Sequence, residues 1–101
     1  MRYGFHLLIN ENKLDEYDDR HKNVWEDLKS AIKRAGVKNY SIFRDGKHVF
    51  GYWECEDLEY TIKTLASSPI NSRWQTFMSD IILTPTEKRM SGGMKEVFHL
   101  D

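Results

Sequence analysis

The sequence has little cysteine and proline and lacks any long apolar run. One cysteine, Cys55, and two prolines occur in 101 residues. A single cysteine can form neither an internal disulfide bond nor a cysteine-rich metal site, and its segment "YWECED" favours a buried structural thiol. The chain shows neither the charged start and apolar run of a signal peptide nor the ~20 apolar residues of a membrane span. We therefore expect a cytoplasmic protein without a membrane partner.

Neither sign of charge dominates the sequence. Fifteen basic and sixteen acidic residues give a net charge of -1, and both signs are mixed along the chain. Binding to nucleic acid or to an anionic membrane generally needs clustered Lys and Arg, so neither partner is expected. The chain is instead rich in residues that pack, with 40% hydrophobic and 13% aromatic residues. Its length and composition predict a single domain over residues 1–101.

Hydrophobic periodicity predicts six elements in the order β-α-β-β-α-β. They are a strand over 2–10, a helix from Leu14 to Gly36, strands in "NYSIF" and "HVFGYWEC", a helical region from 58 that is interrupted at 67–69 and ends before Pro85, and a strand over 95–100. Asp45-Gly46 predicts a tight hairpin turn, and "SGGM" (91–94) predicts a flexible hinge. Right-handed crossovers then give a ferredoxin-like α+β fold, with a four-stranded antiparallel sheet and both helices on one face.

The predicted strands carry apolar side chains on both faces of the sheet. In the third strand, Phe50 and Tyr52 alternate with Val49 and Trp53. The helices cover only one face, so the other face needs a partner. A second copy of the chain, packed sheet to sheet or exchanging its last strand, is the simplest cover. We therefore predict a homodimer.

Three ring side chains, Tyr17, His21 and Trp25, follow one another at intervals of four within "YDDRHKNVW". Four residues turn a helix by about 400°, so these rings share one side of it. Such a stripe is typical of the buried side of an amphipathic helix, and we interpret Trp25 in this way. Together with Tyr40 on the second strand and Trp74 on the last helix, the stripe is also typical of a wall that binds a sugar or another small, polyhydroxylated ligand.

The sequence does not favour a metal, a nucleotide or a nucleophilic serine. His21 has a tyrosine and a tryptophan four residues away, not a second histidine, so no metal site is predicted. No glycine-rich phosphate loop precedes a helix, and no serine stands in a nucleophile motif. Among the other histidines, His48 is expected in solvent, His99 on a sheet face or at an interface, and His6 either in the pocket or in the sheet packing.

Six stretches of the sequence match a known family in the same order: "RYGF", "DEYDDRHKNVWEDLKSAIKRAG", "KNYSIF", "GYWECED", "SRWQTFM" and "MKEVFHLD". Together they resemble the L-rhamnose mutarotase family, and the match runs over nearly the whole chain. The resemblance implies a dimeric, ferredoxin-like protein of the dimeric α+β barrel type. It also implies an isomerase that interconverts the α and β anomers of a sugar without a cofactor.

The resemblance assigns the sugar site to five positions, Tyr17, His21, Tyr40, Trp74 and Gln75. The family's general acid falls on His21, and its sugar-contacting tyrosines fall on Tyr17 and Tyr40. Trp74 matches the first of two tryptophans on the last helix, whereas Gln75 replaces the second with an amide. The expected substrate is therefore L-rhamnose, with a related deoxyhexose such as L-fucose as the alternative. His6 stands where the family has an aliphatic residue and is a candidate for a further pocket contact.

The chemistry of mutarotation suits these residue types. The anomeric hydroxyl loses a proton while the ring oxygen accepts one, and the open-chain aldehyde then closes on its other face. Histidine serves as acid or base near neutral pH, and a positioned acid–base group typically gives about 10²- to 10⁴-fold acceleration. We predict that His21 protonates the ring oxygen, with water or a tyrosine as the acceptor of the anomeric proton. Tyr17 and Tyr40 are expected to hold sugar hydroxyls, and Trp74 to pack against the apolar face of the sugar.

Two other functions fit the same sequence features. A cofactor-free monooxygenase of the dimeric α+β barrel type shares the architecture and uses His and Trp in a small pocket. Oxygen uptake with a quinol would identify that activity. A non-catalytic small-molecule-binding module is the alternative from another class, since a fold alone does not determine chemistry. Such a module would bind a sugar without changing the rate of anomer exchange.

Overall fold

The computed structural model describes residues 1–85 and 93–101. Within these residues the elements, in chain order, are β1 (Arg2–Leu8), α1 (Leu14–Lys22), α2 (Glu26–Arg34), β2 (Lys38–Asp45), β3 (His48–Glu54), α3 (Leu58–Ala66) and α4 (Pro69–Phe77). A short 3-10 turn over Glu11–Lys13 leads into α1. None of the helices in the described ranges is long and apolar enough to cross a membrane.

The three strands form an antiparallel sheet in the order β1-β3-β2. Tyr3 lies opposite Trp53 across β1 and β3, and Phe43 lies opposite Phe50 across β2 and β3. The predicted hairpin between β2 and β3 is confirmed, and its turn contains Gly46 with a φ of +57°. Glycine adopts this left-handed conformation without the steric penalty that a Cβ atom imposes.

The two faces of the sheet differ in burial. The inner face, which carries Tyr3, Leu7, Val49 and Trp53, packs against the helices, and all four of these side chains are buried. The outer face carries the alternate residues of each strand, including His6, His48, Phe43 and Phe50, which are exposed.

The buried side chains form two clusters. The first cluster contains Leu7, Ile9, Tyr17, Leu28, Val49, Trp74, Met78, Ile81 and Ile82. The second cluster contains Tyr3, Ala35, Val37, Trp53, Cys55 and Leu65.

The long helix predicted from Leu14 to Gly36 is two helices. The chain leaves helical geometry at Asn23, and Trp25 has an extended conformation with φ of -58° and ψ of 134° before α2 begins. The break allows the Trp25 ring to pack edge-on against Trp74, with 5.1 Å between ring centroids. Helical periodicity cannot predict this contact, because the two residues are far apart in sequence. The predicted end at Gly36 is confirmed, since Gly36 follows α2 with a φ of +95°.

The last helix ends earlier than predicted. α4 stops at Phe77, and the chain turns before Ile82 forms an antiparallel bridge with Ile9. Leu83 N–H then donates a 2.8 Å hydrogen bond to the Leu8 carbonyl. Met78, Ile81 and Ile82 are buried. Their apolar spacing reflects burial of a turn beside β1, which periodicity cannot distinguish from another helical turn.

The fourth strand predicted over 95–100 is not formed within the described residues. Met94 forms an isolated bridge with Gly4, at the free edge of β1, through a 2.7 Å backbone hydrogen bond. Arg2 and Glu96 form an ion pair at 2.5 Å, but no ladder follows, and Val97, Phe98 and Leu100 are 78–86% exposed. Within residues 1–85 and 93–101, these side chains are not covered by any apolar surface. The described sheet is therefore three-stranded, and residues 91 and 92 of the predicted hinge lie outside the described residues.

Candidate active site

A cavity of about 100 Å³ lies between the inner face of the sheet and the helices. Its lining residues are Tyr3, Phe5, Leu7, Tyr17, His21, Ile32, Tyr40, Ile42, Trp53, Ile62, Leu65, Asn71, Trp74, Gln75 and Ile82. All three strands and all four helices of the described chain contribute to this wall. The five positions assigned to a sugar site from the sequence come together here, although they are spread over almost 60 residues of the chain. The wall is largely aromatic and aliphatic, with a few polar groups, as in sites for small ligands.

The His21 imidazole is held in one orientation on α1. Its Nδ1 lies 2.9 Å from the backbone carbonyl oxygen of Tyr17, one helical turn earlier. A carbonyl oxygen only accepts hydrogen bonds, so Nδ1–H donates, and Nε2 of the neutral ring keeps a free lone pair. The ring also stacks on the Tyr17 ring at 4.1 Å and meets Trp74 edge-on at 5.6 Å.

The surroundings of His21 favour its neutral form. Burial lowers the pKa of His21 below its ordinary value of 6.5. The hydrogen bond to the Tyr17 carbonyl and the charge of Asp18 oppose this shift but do not cancel it. Removal from water disfavours the charged imidazolium, so the ring is mainly neutral near pH 7. In that state Nε2 is a proton acceptor.

The phenols of Tyr17 and Tyr40 are protonated at neutral pH. Tyr17 is buried, and burial together with the charge of Asp18 raises its pKa to about 12, against a lowering effect of Arg44. Although 41% of the Tyr40 surface is exposed, burial of its hydroxyl raises the pKa of Tyr40, helped by the nearby phenols of Tyr17 and Tyr3. Both hydroxyls are therefore poor bases and good hydrogen-bond donors near neutrality.

A β-bulge determines the direction of the Tyr40 side chain. Lys38 lies opposite Glu54, but Ser41 lies opposite Tyr52, so β2 has one residue more than β3 between these pairs. Asn39 has a φ of +50°, and its side-chain amide donates a 3.1 Å hydrogen bond to Glu54. The extra residue shifts the alternation of β2, which then directs Tyr40 to the inner face. No feature of the sequence alone indicated this bulge.

The start of α4 is fixed by hydrogen bonds that also position Trp74. The Ser68 hydroxyl accepts a 3.4 Å hydrogen bond from Asn71 N–H, and Pro69 occupies the first helical turn. The Asn71 side chain donates a 3.1 Å hydrogen bond to the Leu65 carbonyl and so ties α4 to α3. Trp74 is 7% exposed, and Gln75 beside it adds an amide to the cavity wall.

An ion pair joins α1 to β2 next to the site. Arg44 Nε and Nη2 donate hydrogen bonds of 2.7 and 2.6 Å to the two oxygens of Asp18. Arg44 Nη1 also donates a 2.9 Å hydrogen bond to the Gly46 carbonyl. Asp18 follows Tyr17 and lies one turn before His21, so this pair fixes the helix that carries both. Sequence reasoning missed it, because two opposite charges 26 residues apart carry no local signal.

Of the two positions that the sequence left open for His6, in the pocket or in the sheet packing, the structure shows it on the sheet and not among the residues that line the cavity. Tyr3, Phe5 and Leu7 point to the cavity, and alternation along β1 places His6 on the outer face. There His6 Nε2 lies 3.0 Å from Nδ1 of His48, and the two rings stack at 5.2 Å. His6 therefore belongs to the outer face and not to this site.

A larger groove runs beside the cavity, between α2 and β2. It has a volume of about 820 Å³ and shares His21, Tyr40 and Trp74 with the cavity. Its other walls include the exposed residues Lys29, Lys33, Lys38 and Asn39. The groove therefore connects the wall that carries His21 with the surrounding water.

The groups that the site offers are acids, bases and hydrogen-bond partners. In residues 1–85 and 93–101, no three His, Cys, Asp or Glu side chains are grouped closely enough to hold a metal ion. The charge of the Asp18 carboxylate raises the pKa of His21. Asp18 itself forms an ion pair with Arg44, which lowers the pKa of Asp18. Among the described residues that line the cavity, only His21 is a base near neutral pH.

Comparison with known proteins identifies close relatives of this chain. A family model described as L-rhamnose mutarotase matches residues 2–100. The L-rhamnose mutarotase of Oceanobacillus iheyensis is 38% identical over 99% of this chain and 98% of its own length. That of Bacillus subtilis is 33% identical over 94% of this chain and 93% of its own length. The crystal structure of an L-rhamnose mutarotase from Formosa agariphila superposes with a TM-score of 0.85 at 29% identity, covering 100% of this chain and 99% of that one.

Proposed function

The chain belongs to the L-rhamnose mutarotase family, and on this basis we propose that it interconverts the α and β anomers of L-rhamnose with His21 as its acid–base residue. The observation that carries the proposal is the oriented His21 imidazole, whose Nδ1–H is held by the Tyr17 carbonyl in a cavity between two protonated phenols. This arrangement presents one basic nitrogen and two hydrogen-bond donors to a single small ligand. Ring opening of a sugar needs groups of both kinds.

The proposed reaction moves one proton between two oxygens of the sugar. Nε2 of neutral His21 takes the proton of the anomeric hydroxyl, while the bond between the anomeric carbon and the ring oxygen breaks. The ring oxygen receives the proton carried by the His21 imidazolium and becomes the C5 hydroxyl of the open-chain aldehyde. Rotation of the aldehyde and the reverse steps give the other anomer. His21 thus acts as base and as acid in each turnover, and the reaction consumes nothing.

The phenols are proposed to stabilise the charge that develops during ring opening. Their raised pKa values keep Tyr17 and Tyr40 protonated, so they donate hydrogen bonds to sugar oxygens rather than accept the anomeric proton. Hydrogen-bond donors fixed in a largely apolar cavity stabilise developing negative charge better than water does. The sequence left the acceptor of the anomeric proton open between water and a tyrosine. The raised pKa values argue against a tyrosine, and we assign the role to His21 because its neutral ring offers a basic nitrogen in the cavity.

Trp74 and Gln75 are proposed to determine which sugar is preferred. Trp74 offers an indole surface to the C–H groups of a sugar, and Gln75 offers an amide to a hydroxyl. A 6-deoxyhexose has both kinds of group, since its C6 methyl is apolar and the rest of its ring is hydroxylated. L-rhamnose is therefore the proposed substrate, and L-fucose is the deoxyhexose against which the preference is to be measured.

We further infer that the protein acts as a homodimer. Phe43 and Phe50 face each other across two strands of the outer face and are 68% and 40% exposed, and Leu8 is 37% exposed. Val97, Phe98 and Leu100, which follow the ion pair between Arg2 and Glu96, add further exposed apolar side chains. Contiguous exposed apolar surface of this kind is typical of a protein interface. In the proposed dimer, the partner covers the outer face and residues 95–100 complete the fourth strand, beginning from the bridge between Gly4 and Met94.

Optical rotation of freshly dissolved single-anomer sugars tests the proposed function. The protein should speed the approach to anomeric equilibrium of L-rhamnose most, that of L-fucose less, and that of D-glucose little. The spontaneous rate in buffer is the control. If the protein bound L-rhamnose but changed none of the three rates, it would be a binding module and not a mutarotase.

A further inference from the structure

Gly51 leaves a gap on the inner face of the sheet, and the Phe5 ring fills it. Gly51 lies in β3 between Val49 and Trp53, so alternation places all three on the inner face. Phe5 is the residue directly opposite Gly51 in the pairing of β1 with β3. A Cβ atom on Gly51 would come 2.0 Å from Phe5 Cζ and 2.1 Å from Phe5 Cε2. Ordinary contact begins near 3.4 Å, so the ring occupies the space that a side chain at position 51 needs.

The Phe5 ring forms part of the cavity wall on the side of the sheet. It meets the Tyr40 ring edge-on, with centroids 6.3 Å apart and planes at 82°, and its centroid lies 6.4 Å from that of Tyr3. The ring packs against both core clusters and lines the cavity between them. With the sheet beneath it and two rings beside it, a Phe5 ring displaced from Gly51 moves toward the cavity.

This sheet-side wall is apolar, and it lies across the cavity from the reacting nitrogen. Ile42, which is opposite Gly51 on β2, lines the cavity together with Phe5. The His21 ring instead meets Trp74 of α4 edge-on, on the helix side of the cavity. A sugar hydroxyl placed against the Phe5 ring would lose its hydrogen bonds to water, whereas a methyl group gains from leaving water. The most apolar substituent of a 6-deoxyhexose is its C6 methyl group.

We propose that Phe5, seated on Gly51, is a specificity-determining residue that receives the C6 methyl group of the sugar. The inference rests on the proposed function and extends it, because it names the wall that distinguishes a 6-deoxyhexose from sugars with another group on C5. The position of the ring above the sheet sets the room left for this group. A hydroxymethyl group in the same place is larger and buries a hydroxyl without a partner.

Gly51→Ala tests the proposal by displacing the Phe5 ring toward the cavity. L-lyxose, L-rhamnose and L-mannose share the configuration of C2 to C4 and carry hydrogen, methyl and hydroxymethyl on C5. The variant should raise the dissociation constant of L-rhamnose, measured by NMR titration, roughly tenfold and that of L-lyxose little, because L-lyxose has no methyl group to displace. Gly4→Ala is the matched control in β1, since its Cβ atom would come no closer than 3.4 Å to Met94 Cε.

Phe5→Leu shows whether the Phe5 ring transmits this effect. The substitution removes the ring atoms that a Cβ atom at position 51 would meet. In the Phe5→Leu background, Gly51→Ala should therefore change the dissociation constant of L-rhamnose by no more than about twofold. Phe5→Leu alone should reduce the preference for L-rhamnose over L-mannose, because the shorter side chain leaves more room for the group on C5.

The outcomes separate a role in sugar selection from a role in folding. Equal losses of affinity for L-rhamnose and L-lyxose in Gly51→Ala, or unchanged affinities with only a lower melting temperature, would overturn the proposal. If Gly51→Ala did not fold, Phe5→Leu would decide, and an unchanged preference over L-mannose would be the contrary result. If wild-type protein bound L-rhamnose without exchanging its anomers, the proposed function would fail while the titrations still tested Phe5. If it bound no sugar, both proposals would fail.

Discussion

At the scale of single residues, His21 gains its proposed role from two local features. The Tyr17 carbonyl, four residues earlier on the same helix, holds Nδ1–H and leaves Nε2 as the reacting atom. Burial lowers the pKa, so that the resting ring is neutral. The spacing of Tyr17 and His21 was readable from the sequence, because residues four apart are neighbours on a helix. The direction of the pKa shift was not, because it depends on packing by Trp74 from a distant part of the chain.

The lowered pKa of His21 predicts the pH dependence of the reaction. Neutral His21 starts the reaction, so kcat/KM should be constant above the His21 pKa and fall as the pH decreases through it, with a midpoint below 6.5. Anomer exchange of L-rhamnose is to be measured by NMR between about pH 5 and 8. A rate that instead rose steadily as the pH decreased over this range, after subtraction of the spontaneous rate, would mean that imidazolium starts the reaction.

At the scale of secondary-structure elements, α1 is held by the buried Tyr17 ring and by ion pairs to its neighbours. Tyr17 is the buried side chain of α1, and the other side chains of the helix are half-buried or exposed. Arg44 binds Asp18 from β2. Arg20 donates hydrogen bonds of 2.9 and 3.2 Å to Asp80, and one of 2.8 Å to the carbonyl of Phe77, the last residue of α4. Helix α1 therefore depends on arginine contacts to its neighbours, and its position controls where Tyr17 and His21 lie.

Asp18→Asn should change both the position and the acidity of His21. Loss of the carboxylate removes a charge that raises the His21 pKa, so the acid limb of the pH profile should move to lower pH. The weaker tie to Arg44 should also lower kcat several-fold. Asp19→Asn is the matched control, because Asp19 is exposed and pairs with Lys22 at 3.6 Å in the part of the chain that the structure describes. An NMR titration of the His21 ring protons gives the pKa directly, and a pKa unchanged from wild type would refute this role of Asp18.

Local sequence signals predicted some element boundaries correctly. They failed where contacts with residues distant in sequence determine where a helix ends. The hairpin at Gly46 and the end of α2 at Gly36 were predictable, because glycine at a positive φ is a local requirement. The break before Trp25 depends on the Trp74 ring, and the turn after Phe77 depends on pairing of Ile82 with Ile9. Trp74 and Ile9 are far in sequence from the helix ends that they contact. Hydrophobic periodicity therefore predicted both helices to be longer than they are. The bulge that directs Tyr40 was missed for the same reason.

At the scale of the whole molecule, the five residues expected in a sugar site meet in one cavity, whereas the outer face stays uncovered. The sequence indicated both features through its aromatic residues, but it could not place His6, since alternation alone does not say which face is inner. The apolar side chains at 97, 98 and 100 have no partner surface within the described chain. The proposed dimer accounts for these exposed groups and for Phe43 and Phe50 together.

A charge on the outer face should dissociate the proposed dimer. Phe43→Arg places a guanidinium where the partner would pack, and its burial in an apolar interface is unfavourable. Light scattering after size-exclusion chromatography should give a dimer of about 24 kDa for the wild type, twice the chain mass of 12.0 kDa, and a monomer for the variant. Tyr60→Arg, at an exposed aromatic residue of α3, should remain dimeric. A monomeric wild type would contradict the interface.

Saturation-transfer NMR on the anomeric protons of L-rhamnose tests the central claim most directly. Saturating one anomeric signal should reduce the other in the presence of wild-type protein. His21→Asn should abolish this transfer while the protein stays folded, since the asparagine amide can replace Nδ1–H at the Tyr17 carbonyl but supplies no basic nitrogen. A folded His21→Asn variant that exchanged the anomers as fast as the wild type would contradict the proposed role of His21.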